Sequence, residues 1–155
     1  MIQKSKSIWL SIFLSLVLLI LISCSKSPEK INYGEDECEY CRMLITDNKY
    51  GAEIISDKRK AYKFDSIECL IGFALTKNLI DGETQNLLVS DFSNPGNFID
   101  ARNAYYVHND DFRSPMGLNV SAFADKNKFD KFISNNGGKN LDWLDVMQLV
   151  MQKDM

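Results

Sequence analysis

Cys38-Glu39-Tyr40-Cys41-Arg42-Met43 places two thiols and a thioether within six residues. Soft sulfur donors of this kind select Cu(I) and, less exclusively, Zn(II). Side chains on a strand alternate with period two. A strand opening at Cys41 would therefore put Cys41 and Met43 on one side, and a turn through Glu39-Tyr40 would bring Cys38 back beside them. The expected result is a three-sulfur cup that suits trigonal Cu(I), whereas zinc would want a fourth ligand. Arg42 acts to lower the pKa of Cys41, and Asp36, Glu37 and Glu39 oppose it. The competing readings are a local disulfide or an idle pair. An exposed Cys-x-x-Cys beside a methionine has no packing rationale, which favours metal.

Six further donors need weighing. Met116 lies in Ser114-Pro115-Met116-Gly117, where proline and glycine remove it from regular helix or strand. It either projects toward a site or plugs a gap in the core. His108 is the one histidine. Imidazole suits copper, but a lone histidine at a strand end is more often incidental. Cys69 stands four residues before Phe73 on a helical face and is expected to pack in the core. Met147, Met151 and Met155 recur every four residues, which packing of one helix face explains without a metal. Catalytic patterns are absent: no Ser-His-Asp logic, no phosphate-cradling glycine loop, no obvious carboxylate pair. A binding protein is expected, not an enzyme.

The chain starts with a targeting segment. Lys4 and Lys6 precede an apolar run from Ile8 to Ile22, short of the ~20 residues a membrane span requires. Leu21-Ile22-Ser23-Cys24 resembles a bacterial lipoprotein processing site, with residues 1–23 as signal peptide and Cys24 as the acylated N-terminus. Each buried methylene adds about 0.8 kcal/mol, so a multiply acylated cysteine anchors permanently to the cell envelope. Residues 24–36 are rich in Ser, Lys, Pro and Glu and are expected to form a flexible tether. The formal net charge is −3, or −5 once Lys4 and Lys6 are set aside. A mildly acidic surface argues against nucleic acid as partner. Of four cysteines, three remain after Cys24. An odd number in an oxidising compartment leaves at least one thiol free, metal-bound or buried.

The elements that must hold these donors suggest an α+β fold. Strands are expected at Met43–Asp47, Tyr50–Ser56, Ala61–Phe64 and Leu87–Phe92. Asp65-Ser66 supplies capping oxygens for a helix carrying Ile67, Leu70, Ile71, Ala74 and Leu75 at helical spacing. Asn94-Pro95-Gly96 breaks the chain. Strands are expected again at Ala104–His108 and Leu118–Phe123. Asp125 then caps a helix with Phe129, Phe132 and Ile133 inward, ended by Gly137-Gly138. A last amphipathic helix, Leu141–Met151, turns Trp143, Leu144, Met147, Val150 and Met151 to the core. Tyr62-Lys63-Phe64-Asp65 and Ala122-Phe123-Ala124-Asp125 mark the same order: strand, aromatic, capping aspartate, helix. Two small similar β-β-α(-β) subdomains with antiparallel strands are expected, spanning residues 37–95 and 96–155, the first carrying the Cys-x-x-Cys-x-Met site.

The set of motifs, in order, is similar to the NosL-type copper lipoproteins: Cys-x-x-Cys-x-Met after a lipoprotein leader, Tyr62-Lys63-Phe64-Asp65, Ala104-Tyr105-Tyr106-Val107, Ser114-Pro115-Met116-Gly117, Ala122-Phe123 and Gly137-Gly138. The resemblance runs from about Cys38 to Val146. It implies two similar α+β subdomains and a lipid-anchored, periplasm-facing protein that binds Cu(I). It also implies delivery of copper toward nitrous oxide reductase, directly or through its ABC-type maturation complex. By position, the family's Cys-x-Met pair falls on Cys41 and Met43, its Pro-Met-Gly methionine on Met116, and the first cysteine of many members on Cys38. Two departures stand out. Arg42 replaces the glycine usual between cysteine and methionine, and Asp65-Ser66 stands where many members have Asp-Gly. A different class remains alongside: an exported thiol–disulfide redox lipoprotein using Cys38 and Cys41.

Overall fold

The structure is a computed structural model, and it describes residues 28–80 and 86–153. The signal peptide, Cys24 and Met155 lie outside the described residues. Among the described residues, seven strands and three helices follow in the order β1 (Ala52–Ile55), β2 (Ala61–Phe64), α1 (Ile67–Thr76), β3 (Asn86–Ser90), β4 (Phe98–Asp100), β5 (Tyr105–His108), β6 (Val120–Phe123), α2 (Lys126–Asn136), β7 (Lys139–Leu141) and α3 (Trp143–Lys153). They form two antiparallel sheets, ordered β2-β1-β3-β4 and β6-β5-β7. Each sheet is built from a hairpin, a helix and a returning strand that pairs with the first strand of the hairpin. The expected α+β fold of two similar units is therefore present, and its repeat is topological: β2-β1-β3 matches β6-β5-β7. β4 extends the first sheet as far as Asp100.

Local chemistry explains where the helices start. Ser66 caps α1, its hydroxyl accepting from the Cys69 amide at 3.5 Å. Asp125 caps α2, accepting from the Lys128 amide at 2.9 Å. Each cap satisfies one of the amides that a helix N-terminus leaves unpaired. Gly137 closes α2 at φ 72°, donating to Ile133 O at 2.8 Å. Gly138 is held for another reason: a Cβ there would lie 2.5 Å from Val107 Cγ2 and 2.9 Å from His108 O, so only glycine lets the chain pass close against β5.

One hydrophobic core joins the two units. Ile54, Phe64, Leu70 and Leu87 of the first pack in the same cluster as Tyr106, Val120, Leu141 and Val150 of the second. A smaller aromatic cluster of Phe123, Phe129, Phe92 and Phe132 lies under α2. Helix α3 packs on α1. The face it buries is rotated from the expected one. Val146 and Val150 are buried, with Trp143 and Met147 beside them, whereas Leu144 and Met151 are exposed. The i, i+3, i+4, i+7 stripe therefore begins at Trp143, and Leu144 falls on its outer side.

Two expectations near the site are corrected. Residues 28–36 do not hang as a flexible tether. Ile31 is buried in the core, the Glu29 amide donates to both carboxylate oxygens of buried Glu53 at 3.0 and 3.2 Å, and Lys63 Nζ reaches Lys30 O and Asp36 Oδ2. No strand runs from Met43 to Asp47 either. A single bridge joins Glu37 to Leu44, and the residues between form a tight turn.

Candidate metal centre

The turn is closed by two backbone bonds, Cys38 N–H to Met43 O at 2.8 Å and Arg42 N–H to Cys38 O at 3.0 Å. Closing it requires Arg42 to take φ 65°, the left-handed region that favours glycine. The arginine therefore occupies a backbone conformation for which the usual glycine of the resembled family is suited. Cys41 and Met43 are not neighbours along a strand, so the period-two argument does not bring them together. The turn instead folds Cys38 under the loop, with no exposed surface, and leaves Cys41 half-buried and Met43 47% exposed.

Below the turn lies the start of α1. Glu39 N–H bonds to Lys63 O at 2.9 Å, tying the loop to β2 immediately before the helix. The Tyr40 ring lies against Gly72, where an added Cβ would stand 2.7 Å from its Cζ. These contacts seat the loop on the helix face that carries Cys69. The ligand atoms of Cys38, Cys41, Cys69 and Asp65 consequently lie within 4.8 Å of one another. All three cysteines are free thiols.

The thiols are not equivalent. The Cys69 S–H donates to Cys38, and backbone N–H groups of Cys41, Asp65 and Tyr40 are also directed at the Cys38 sulfur, so its pKa falls to about 6 despite burial. Cys69 is pushed well above the ordinary thiol value, first by that same hydrogen bond and then by burial. Burial is the main cause that raises Cys41 to about 11, with the charge of Cys38 and Asp65 adding to it. These shifts favour the thiolate at Cys38 and the thiol form at Cys41 and Cys69, and Cys41 Sγ donates to Asp65 Oδ2 at 3.6 Å. Asp65 Oδ1 is buried without a hydrogen-bond partner. Orphaned buried oxygens are rare and call for a proton, an ion or a water.

Cys69 and Asp65 are the two members that sequence reasoning did not place in the site. Cys69 is a core residue as expected, fully buried, but its sulfur also completes the thiol cluster. The odd count of thiols was its signal. Asp65 looked like half of a capping pair. Only one residue can cap, Ser66 does so, and Asp65 is left to face the sulfurs. Met116 is half-buried and packs at the edge of the core, lining a cavity of about 40 Å³ together with Cys69, Glu68 and Tyr40. His108 is placed apart from the thiols, its Nε2 3.6 Å from Asp110 Oδ1.

A model of the NosL family matches residues 30–151. The copper-binding lipoprotein NosL of Stutzerimonas stutzeri is 28% identical over 130 residues, which cover 78% of this chain and 67% of that protein. The crystal structure of the copper chaperone NosL from Shewanella denitrificans superposes with a TM-score of 0.62 at 27% identity, covering 76% of this chain and 93% of the other. One relative is named a copper-binding lipoprotein and the other a copper chaperone, and neither is named for catalysis. With the match spanning most of the described residues, this chain belongs to the NosL family.

Proposed function

We propose that this protein is a Cu(I) carrier, anchored to the bacterial cell envelope through a lipid on Cys24 and facing the periplasm. It delivers copper to an exported copper enzyme. Nitrous oxide reductase, reached directly or through its ABC-type maturation complex, is the acceptor that the family resemblance indicates. The observation that carries the reading is the convergence of Cys38, Cys41 and Cys69 within 4.8 Å. Three soft donors suit a monovalent copper ion and leave its shell open to a fourth ligand.

Cys38 and Cys41 bind the ion, Cys69 supports them from below, and the Met43 and Met116 thioethers supply weaker neutral donors. The protonated Cys41 loses its proton on binding, Cu⁺ replacing H⁺ on sulfur, and Asp65 Oδ2 stands ready as the acceptor. Asp65 is too hard a donor to be a preferred Cu(I) ligand. Transfer begins at the exposed side. An acceptor's thiolate, thioether or imidazole enters the open position and displaces the outer sulfurs before the buried ones.

The lowered pKa of Cys38 also favours a second reading, a thiol–disulfide couple with Cys41. Against it, Cys38 has no exposed surface from which to attack a substrate, and it does not sit at a helix N-terminus. Anaerobic reconstitution of the reduced protein with Cu(I) separates the readings. One tightly held copper per chain, with no insulin reduction, supports the carrier. No retained copper, with catalysed insulin reduction, overturns it.

A further inference from the structure

Glu68 stands on α1 immediately before Cys69 and is only 6% exposed. A carboxylate at that depth needs a reason, since charged side chains are costly to bury without partners. Its Oε1 accepts from Ser114 Oγ and from the Leu118 amide, both at 2.8 Å. These donors lie 46 and 50 residues further along the chain, on either side of Met116. Its Oε2 is buried with no hydrogen-bond partner, so both bonds to the loop fall on one oxygen.

The loop that carries Met116 is braced internally. Ser114 N–H donates to Asn119 Oδ1 at 3.1 Å, the Asn119 amide donates back to Ser114 Oγ at 2.9 Å, and Gly117 N–H closes a turn on Ser114 O at 3.0 Å. Lys153 Nζ of α3 donates to the Met116 carbonyl. Met116 therefore has little backbone freedom of its own, and its place relative to the thiols depends on where the loop is fastened. Glu68 fastens it to α1, one residue from Cys69. Glu68, Cys69, Met116 and Tyr40 line the same cavity of about 40 Å³. A carboxylate is a hard donor and no preferred ligand for a soft ion, so Glu68 bears on the site through the loop it holds.

We propose that Glu68 is a positioning residue of the copper site: it fixes the Met116 loop to α1 so that the thioether is presented to the thiol cluster. This rests on the copper-carrier reading, with Met116 as a thioether donor. The test titrates Ag(I), a redox-stable soft monovalent ion, into the reduced full chain in detergent, with ¹³Cε-methyl-labelled methionines read by NMR. In the wild type the Met116 methyl resonance shifts on binding. Glu68→Gln keeps an Oε1 acceptor with two lone pairs, and so keeps both the shift and the affinity. Glu68→Ala weakens binding by about tenfold, the scale of a lost outer-shell partner, and shrinks the Met116 shift. In a Met116→Leu background the same Glu68→Ala change weakens binding no further, because a residue that acts through Met116 has nothing left to act on. Ser114→Ala removes one of the two bonds from the loop side and carries the same comparison where Glu68→Ala does not fold. The positioning role is overturned, and the carrier reading kept, by an equal loss in both backgrounds, by a Glu68→Gln loss as large as that of Glu68→Ala, or by bound Ag(I) that leaves the wild-type Met116 methyl unmoved. Failure of the wild type to bind Ag(I) overturns both.

Discussion

Arg42→Gly isolates the backbone strain at the metal loop. Arg42 holds φ 65°, and a non-glycine residue in the left-handed region costs about 1–2 kcal/mol. Glycine removes that cost but adds about 0.5–1 kcal/mol of unfolded-chain entropy. The side chain contributes little in compensation: its one ion pair, to Glu39 at 3.5 Å, is 68% exposed on the arginine side and has little worth at the surface. The net expectation is a gain of about 0.5–1 kcal/mol for Arg42→Gly. Arg42→Ala is the control, because it deletes the same side chain and keeps the strain. Urea unfolding of the metal-free, reduced protein measures both variants. With a slope of about 1–3 kcal/mol per molar urea, the glycine variant should unfold at a midpoint roughly 0.2–1 M above the alanine variant. Copper affinity should not change, since the Cys38–Met43 turn bond needs only the backbone. Equal midpoints for the two variants would show that the loop does not hold Arg42 in the left-handed region.

Cys41→Ser and Cys69→Ser should each lower Cu(I) affinity by more than about a hundredfold, beyond the usual effect of an outer-shell partner, as measured by competition with a Cu(I) chelator; an unchanged Cys69→Ser would return that residue to a packing role alone. Stability of the metal-free protein should rise from about pH 6 toward 9. Over that range the folded state has already released the Cys38 proton that the unfolded chain still holds, and the gain is lost as pH falls through about 6. Above pH 9 the trend should reverse, because Cys41 keeps its proton up to about 11 in the folded state; Cys38→Ser should flatten the rise when midpoints are followed against pH. Glu53 is fully buried at the centre of the first sheet, and burial raises its pKa. Glu53→Gln should therefore raise the urea midpoint at pH 7 and lose that advantage below the unfolded carboxyl pKa of about 4.3, where Glu53 is neutral in both states.

The repeated order of strand, aromatic, aspartate and helix was legible because each unit states it twice over, in hydrophobic period and in capping chemistry. Short elements were not. β4 and β7 have three residues each, too few to show alternation, and exist because a neighbouring strand offers unpaired amides. The strand expected at Met43–Asp47 was displaced by a turn whose cause, a left-handed Arg42, contradicts ordinary residue preference. The thiol cluster was half legible. Cys38 and Cys41 stand three residues apart in one motif, but Cys69 enters only because Tyr40 packs against Gly72 and seats the loop on α1. Neither residue carries a motif; their fit is one of shape, and a hydrophobic pattern does not report shape.

Exposure around the cluster is graded, and the gradient bears on how a bound ion would leave. Cys38 and Cys69 have no exposed surface, Cys41 is half-buried, and Met43 is 47% exposed. A site with all donors buried would hold its ion behind a barrier of local unfolding, and one with all donors exposed would lose it to any thiol in solution. In the proposed transfer the buried pair would retain the ion while an incoming ligand exchanges with Cys41 and Met43, so that each step breaks one bond as another forms. The same grading separates affinity from rate. Substitution of a buried sulfur should raise the dissociation constant, whereas Met43→Leu should leave it nearly unchanged and slow transfer to an acceptor thiol. Stopped-flow exchange against a Cu(I) chelator reads the two quantities independently. A Met43→Leu variant that lost affinity and kept its transfer rate would assign the exposed thioether to holding the ion rather than to passing it on.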